Sequence, residues 1–337
     1  MSTQFRLLEV TDVVFDEIVN QLELNEIFYL SLCSHKTMNT VRCHLRKSIK
    51  YPLFVDTSAK NAIIFGYIRD KKRVNIISVQ DIEMYNGEKL ETVYTHDREI
   101  EISKHKDHYA MFASSEDEQT VGYCLSLFHI THLFRNDIHT LYCNHPCYKV
   151  FVMLKYSESL RMTYVVRAKG QPLYALKDYE LEESAKTNGL QLCSFLPRGY
   201  DFTLKRDYDY IRVEKAMYAS LESVLQLSER SKEVILDDSI LISKGLNNFF
   251  NHWLQKRIDG LKFLSIRMEA YREFSVYKGI EQRISDATEE INYKSYTGDL
   301  YRLSPGKYLR RDDGVIASFF YNPSTRILNF GVVSKTK

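Results

Sequence analysis

Between residues 138 and 283, short runs of β-branched and aromatic residues alternate with stretches of helical period. This alternation constrains the fold more than any other feature of the sequence. Strands are predicted at 138–142, 160–167, 190–195, 210–213, 233–236 and 261–268, and helices at 148–155, 174–184, 217–228, 244–257 and 271–283. The clearest unit runs from 233–236 through a helix carrying Phe249, Phe250, Trp253 and Leu254 to Leu261, Phe263, Leu264 and Ile266. Strand, helix, strand at this spacing implies parallel pairing, because a crossover of that length returns the chain in the same direction.

The flanks have a different character. Residues 5–48 read as three short helices. Thr11 or Asp12 can cap the first, Asn25 the second and Ser34 the third, since a short side-chain oxygen accepts from the orphan amides of an opening turn. Apolar stripes follow at Val14, Phe15, Ile18 and Leu22, at Ile27, Phe28, Leu30 and Leu32, and at Met38, Val41 and Leu45. A unit this small, near the ~40-residue limit for independent folding, needs a neighbour or partner to cover its apolar surface. From Tyr51 the chain turns β-rich, with an antiparallel meander expected at 51–57, 61–67 and 74–79 and further strands at 91–95 and 99–103. Residues 104–119 are polar and read as a loop, and 120–135 as a helix. Hairpins end the sequence over 308–333, turning at Asp312-Asp313-Gly314 and Asn322-Pro323-Ser324-Thr325. The expected architecture is α+β: a three-helix head (5–48), then one mixed domain (51–337). That domain has antiparallel strands at 51–103, a β/α array at 138–283 and terminal hairpins. Successive strands of the array start about 18 to 30 residues apart, near the ~20–29-residue leucine-rich-repeat period. The leucine/asparagine consensus is absent, so the array reads as a degenerate, leucine-rich-repeat-like one.

Lys plus Arg number 46 against 44 Asp plus Glu, and no one-signed block stands out, which argues against a nucleic-acid partner. No run approaches the ~18 apolar residues of a membrane span, and Met1–Leu8 lacks the apolar core of a secretory signal. Six dispersed cysteines then read as reduced thiols in an intracellular, cytoplasmic or nuclear setting. Cys124, His129, His132, His139, Cys143, His145 and Cys147 bear the side groups zinc prefers. Their single-residue spacings fit a strand better than a metal knuckle, so no metal or other cofactor is expected. Asp237-Asp238 closes a predicted strand, where catalytic carboxylates gather in some α/β enzymes, but a solvated pair or helix cap explains it equally. Phosphate loops and hydrolase signatures are missing, and 13 glycines leave few places for them. The protein therefore reads as non-enzymatic, with no catalytic residues. Trp253, flanked by Phe249, Phe250 and Leu254, reads as core.

Phe5-Arg-Leu-Leu-Glu-Val-Thr-Asp-Val-Val, followed by Ile27-Phe-Tyr-Leu-Ser-Leu-Cys-Ser-His-Lys, resembles the F-box of the large nematode F-box families. The segment Leu261-Lys-Phe-Leu-Ser-Ile and the tail, Arg310-Arg-Asp-Asp-Gly-Val-Ile-Ala-Ser with Phe330-Gly-Val-Val, resemble the type-2 F-box-associated domain of those proteins. The resemblance implies an adaptor of a Skp–cullin–F-box ubiquitin ligase. Its head would dock a Skp-type adaptor through Leu8, Val10, Thr11, Val14, Ile18, Leu22, Ile27, Leu30, Cys33 and Val41, and its associated domain would bind a protein substrate. Which residues touch the substrate is left open. Thr11 departs from the family, which carries proline there; proline presets φ at a helix start and threonine does not. An interaction module that no longer engages the ligase is the alternative on that ground, with a metal- or carboxylate-dependent enzyme as a third reading.

Overall fold

The computed structural model describes residues 7–45, 51–143, 162–166, 187–195 and 204–333, apart from single or paired positions within those spans. The protein is mixed α+β and divides into two compact units, Met1–Met162 and Thr163–Lys337. The helices expected at 148–155 and 174–184 lie outside the described residues. The strand expected at 160–167 contains β8 (Met162–Val166).

The first unit opens with the three expected helices: α1 (Asp12–Gln21), α2 (Leu24–Ser31) and α3 (His35–His44), after a single turn at Leu7–Glu9. Ser34 caps α3 as its residue type requires, its Oγ accepting from the Thr37 amide at 3.0 Å. The cap of α2 is Glu23 rather than Asn25. Glu23 and Glu26 form a reciprocal capping box, which starts the helix one residue before Asn25. Phe15, Val19, Ile27, Phe28, Leu32, Met38 and Val41 are buried, so the helical trio belongs to the core of this unit.

The trio shares that unit with seven neighbouring sheet strands, in the order β7 (Ile138–Cys143), β1 (Leu53–Ala59), β2 (Ala62–Arg69), β3 (Lys72–Asp81), β6 (His108–Ala113), β5 (Arg98–His105) and β4 (Glu91–Thr95). The meander β1 (Leu53–Ala59), β2 (Ala62–Arg69) and β3 (Lys72–Asp81) is antiparallel as expected, and Asp70 and Lys71 turn its second hairpin at positive φ. Then come β4 (Glu91–Thr95), β5 (Arg98–His105), β6 (His108–Ala113), α4 (Glu116–Phe134) and β7 (Ile138–Cys143). The loop expected over 104–119 is thus replaced by β6 and the first turn of α4. His108, Ala110, Met111 and Ala113 are all buried, and β6 lies between β3 and β5, so the strand shows no apolar–polar alternation. Gly122 lets α4 settle onto the sheet: a Cβ there would stand 2.7 Å from Met111 Sδ. Gly66 is more constrained, since a Cβ would meet the Val74 carbonyl oxygen at 2.2 Å and the Phe54 ring at 2.7 Å. Gly66→Ala is expected to destabilise the protein by about 1–3 kcal/mol, read as a lower urea midpoint.

In the second unit β9 (Thr187–Phe195), β10 (Tyr210–Lys215), β11 (Glu233–Ile242) and β12 (Phe263–Ala270) pair in parallel. α5 (Leu221–Glu229) joins β10 to β11, and α6 (Ser243–Leu254) joins β11 to β12. The helix expected at 271–283 is only α7 (Glu273–Tyr277) followed by a single turn at Glu281–Arg283, because Gly279 at φ +79° ends it. Short strands β13 (Ile284–Asp286), β14 (Asn292–Lys294) and β15 (Leu300–Arg302) precede the expected hairpins, β16 (Lys307–Arg310), β17 (Ile316–Asn322) and β18 (Ile327–Val333). β18 pairs antiparallel with β12, and the sheet continues through β17 and β16 to β13. Trp253, Phe249 and Phe250 of α6 pack against Phe330 of β18, confirming Trp253 as core.

Candidate docking surface

The register of α1 decides which of its apolar residues face outward. Phe15 and Val19 take the inner stripe and are buried. Val13 and Val14 stay 73% and 46% exposed, and Leu8, Val10, Ile18 and Leu22 are half-buried. Val14, Ile18 and Leu22 recur every fourth residue, so they form one line along the helix surface. His44, at the end of α3, holds α1 in this orientation: its Nδ1 lies 2.6 Å from Asp16 Oδ1, and its ring packs on Phe15.

The inward side of the trio is occupied by its own unit. Ile27 is 3% exposed and Val41 0%, so in this conformation both support the surface rather than reach a partner. Tyr29 of α2 stacks on Tyr109 at 4.4 Å and donates its hydroxyl to Glu91. That hydrogen bond, with burial, pushes the Tyr29 hydroxyl well above its ordinary pKa. Glu23 pairs with Arg69 at 3.1 Å, a second brace between α2 and the sheet. Thr11 and Cys33 are exposed and Leu30 half-buried. Although Cys33 is exposed as a residue, desolvation of its thiol by the groups around it, then the Glu91 charge, raises the thiol's pKa, which disfavours a reactive thiolate. The sequence-predicted docking residues thus separate into an outward set on and around α1, Leu30 and Cys33 around the end of α2, and the buried pair Ile27 and Val41. Val13, the most exposed apolar residue of α1, is missing from the predicted set; the doubled valine at 13–14 is the signal that could have found it.

The other chemical candidates resolve into structural roles. Asp237 accepts from Arg212 Nε at 2.7 Å, and Asp238, at φ +55°, pairs with Arg267 at 2.5 Å. Burial raises the Asp237 carboxyl's pKa against the opposing pull of Arg212. His129 Nε2 lies 2.7 Å from Ser31 Oγ, and His139 Nδ1 lies 2.8 Å from Thr140 Oγ1. Among the described residues no group of three or more His, Cys, Asp or Glu could hold a metal ion; the Cys143 side chain, His145 and Cys147 lie outside them. No helix among the described residues is long and apolar enough to cross a membrane.

A buried acid that the sequence did not flag secures the β14–β15 hairpin of the second unit. Glu233 Oε1 accepts from the Tyr293 hydroxyl at 2.8 Å, and Oε2 accepts from the Tyr296 amide at 2.8 Å. Tyr293 stacks on Phe263 and Tyr296 on Tyr210. Burial raises the Glu233 carboxyl's pKa more than these hydrogen bonds lower it. An acid whose folded-state pKa is raised contributes stability that is present below its unfolded pKa and lost as pH climbs through the folded one. The stability of wild type relative to Glu233→Gln should therefore fall as pH rises through and above the ordinary glutamate range. Paired urea titrations across pH measure that difference. No family model, no curated protein and no solved structure matches this sequence.

Proposed function

We propose that this protein is a substrate-recognition adaptor of a Skp–cullin–F-box ubiquitin ligase. The first helices act as an F-box that docks a Skp-type adaptor, and the leucine-rich-repeat-like β/α array with its hairpins holds a protein target. The observation that carries the reading is the apolar line of α1. Val14 of that line is exposed and Ile18 and Leu22 are half-buried although the trio's inner positions are filled, which leaves apolar surface for a helix-packing contact. The protein performs no catalysis itself; it brings target lysines near a ubiquitin-charged enzyme, which places it inside the cell, in cytoplasm or nucleus.

Thr11 bears on the alternative, a module that has lost ligase docking. Its backbone sits at φ −65°, the value proline imposes. The familial proline would therefore enter without strain, and the local backbone path does not depend on it. Thr11→Pro is expected to stabilise the protein by about 0.4–1 kcal/mol and to leave adaptor affinity equal or tighter, measured by urea unfolding and calorimetry. The reading itself is tested by titrating the full-length protein into several Skp-type adaptor paralogues. Saturable one-to-one binding to at least one is expected. A folded protein that binds none of them would leave the stand-alone interaction module.

A further inference from the structure

Two Asn-Gly pairs occur in the sequence, Asn86–Gly87 and Asn188–Gly189, and the fold treats them oppositely. In such a pair the glycine amide nitrogen can attack the carboxamide carbon of the asparagine, because no Cβ on the following residue obstructs the approach. The new C–N bond closes a five-membered succinimide, and the original carboxamide C–N bond breaks to release ammonia. Water then opens the ring at either carbonyl, leaving aspartate or isoaspartate. Closing the ring requires the backbone to rotate away from regular structure, so a hydrogen-bonded ladder suppresses it.

We propose that Asn86 is a site of spontaneous deamidation and that Asn188 is protected from it by β9. Asn86 and Gly87 are both exposed, between the single helical turn Ile82–Met84 and the start of β4 at Glu91. The turn's closing bond, from the Tyr85 amide to the Ile82 carbonyl, falls before them. Gly87 sits at φ +83°, with nothing within 4 Å of where a Cβ would be. Among the described residues its amide makes no hydrogen bond to another backbone group. Gly189, in contrast, lies inside β9 opposite Tyr210, and the Asn188 carbonyl accepts from the Asp209 amide at 2.7 Å. Deamidation at Asn86 adds one negative charge to a protein of formal charge +2. Its isoaspartyl product lengthens the backbone just ahead of Glu91, the residue that receives the Tyr29 hydroxyl and braces α2.

Peptide mapping by mass spectrometry of the full-length protein, aged in mildly alkaline buffer at physiological temperature, tests this. The Asn86 peptide should convert to an aspartate and isoaspartate pair of products. Asn188 should react at least about a hundredfold more slowly, as expected where attack waits on a strand opening of roughly 3 kcal/mol. Unfolding in urea should bring the two rates together, and Asn86→Gln should abolish the modified peptide. Comparable rates at both sites in the folded protein, faster reaction at Asn188, or no conversion at Asn86 while the unfolded protein does convert would each overturn the assignment.

Discussion

Trp253→Ala is expected to destabilise the second unit by about 3–5 kcal/mol, the cost of deleting a large buried aromatic group whose site cannot fully collapse. Trp253 is fully enclosed and meets the Phe330 ring edge-to-face at 5.4 Å. Above it lies the Arg311 guanidinium, 5.1 Å from the indole centre, with only 4% of its side chain exposed. Arg311 donates to Asp259 at 2.5 Å and to Asp313 at 2.8 Å, which ties the loop between α6 and β12 to the turn between β16 and β17. Hydrogen bonding from Arg311 also holds the Asp313 carboxyl far below the usual carboxylate range. Removing the indole therefore empties a core position and takes away the aromatic face beneath a buried cation. As the protein's only tryptophan, Trp253 gives the wild type a fluorescence signal specific to this core. The variant's loss is read by circular dichroism in urea. A shift below about 1 kcal/mol, the size of a typical point-mutant effect, would contradict the packing described.

Putting charge on the outward face of α1 should have the largest effect on binding. Val13 and Val14 are the second and third residues of α1, where the helix dipole favours acidic groups. Val13→Asp, Val14→Asp should therefore leave the folded protein as stable as wild type, within about 0.5 kcal/mol, as is usual for exposed substitutions. In an adaptor complex the same carboxylates would be buried against apolar surface without partners, at a cost of several kcal/mol. A micromolar complex is held by only about 8 kcal/mol, so binding should fall below detection. Folding and docking thus respond differently to one variant, which separates loss of binding from loss of structure.

Much of the fold could be read from local pattern. The parallel run β10–β11–β12 followed from apolar strands separated by one helix each, and the terminal hairpins from glycine and Asn-Pro turns. The losses have physical causes. β6 buries four of its six residues, two of them adjacent, so period two disappears. The α2 cap is a glutamate working with a second glutamate, whereas cap preference pointed to Asn25. Gly279 breaks a helix whose apolar spacing continues beyond it. β14 and β15 are three residues each, too short for a pattern to emerge. For the candidate surface, sequence identified the apolar helices but could not assign sides. Ile27 and Val41 have the same residue character as Ile18 and Val14, and only packing against the rest of the unit turns them inward.

Side-by-side calorimetric titration of a Skp-type adaptor with the wild-type protein and with the Val13→Asp, Val14→Asp variant tests docking through α1 most directly. One-to-one binding by wild type and none by a variant with an unchanged urea midpoint is the predicted result. Equal binding by both proteins would contradict α1 as the docking surface, and no binding by either would contradict the ligase role.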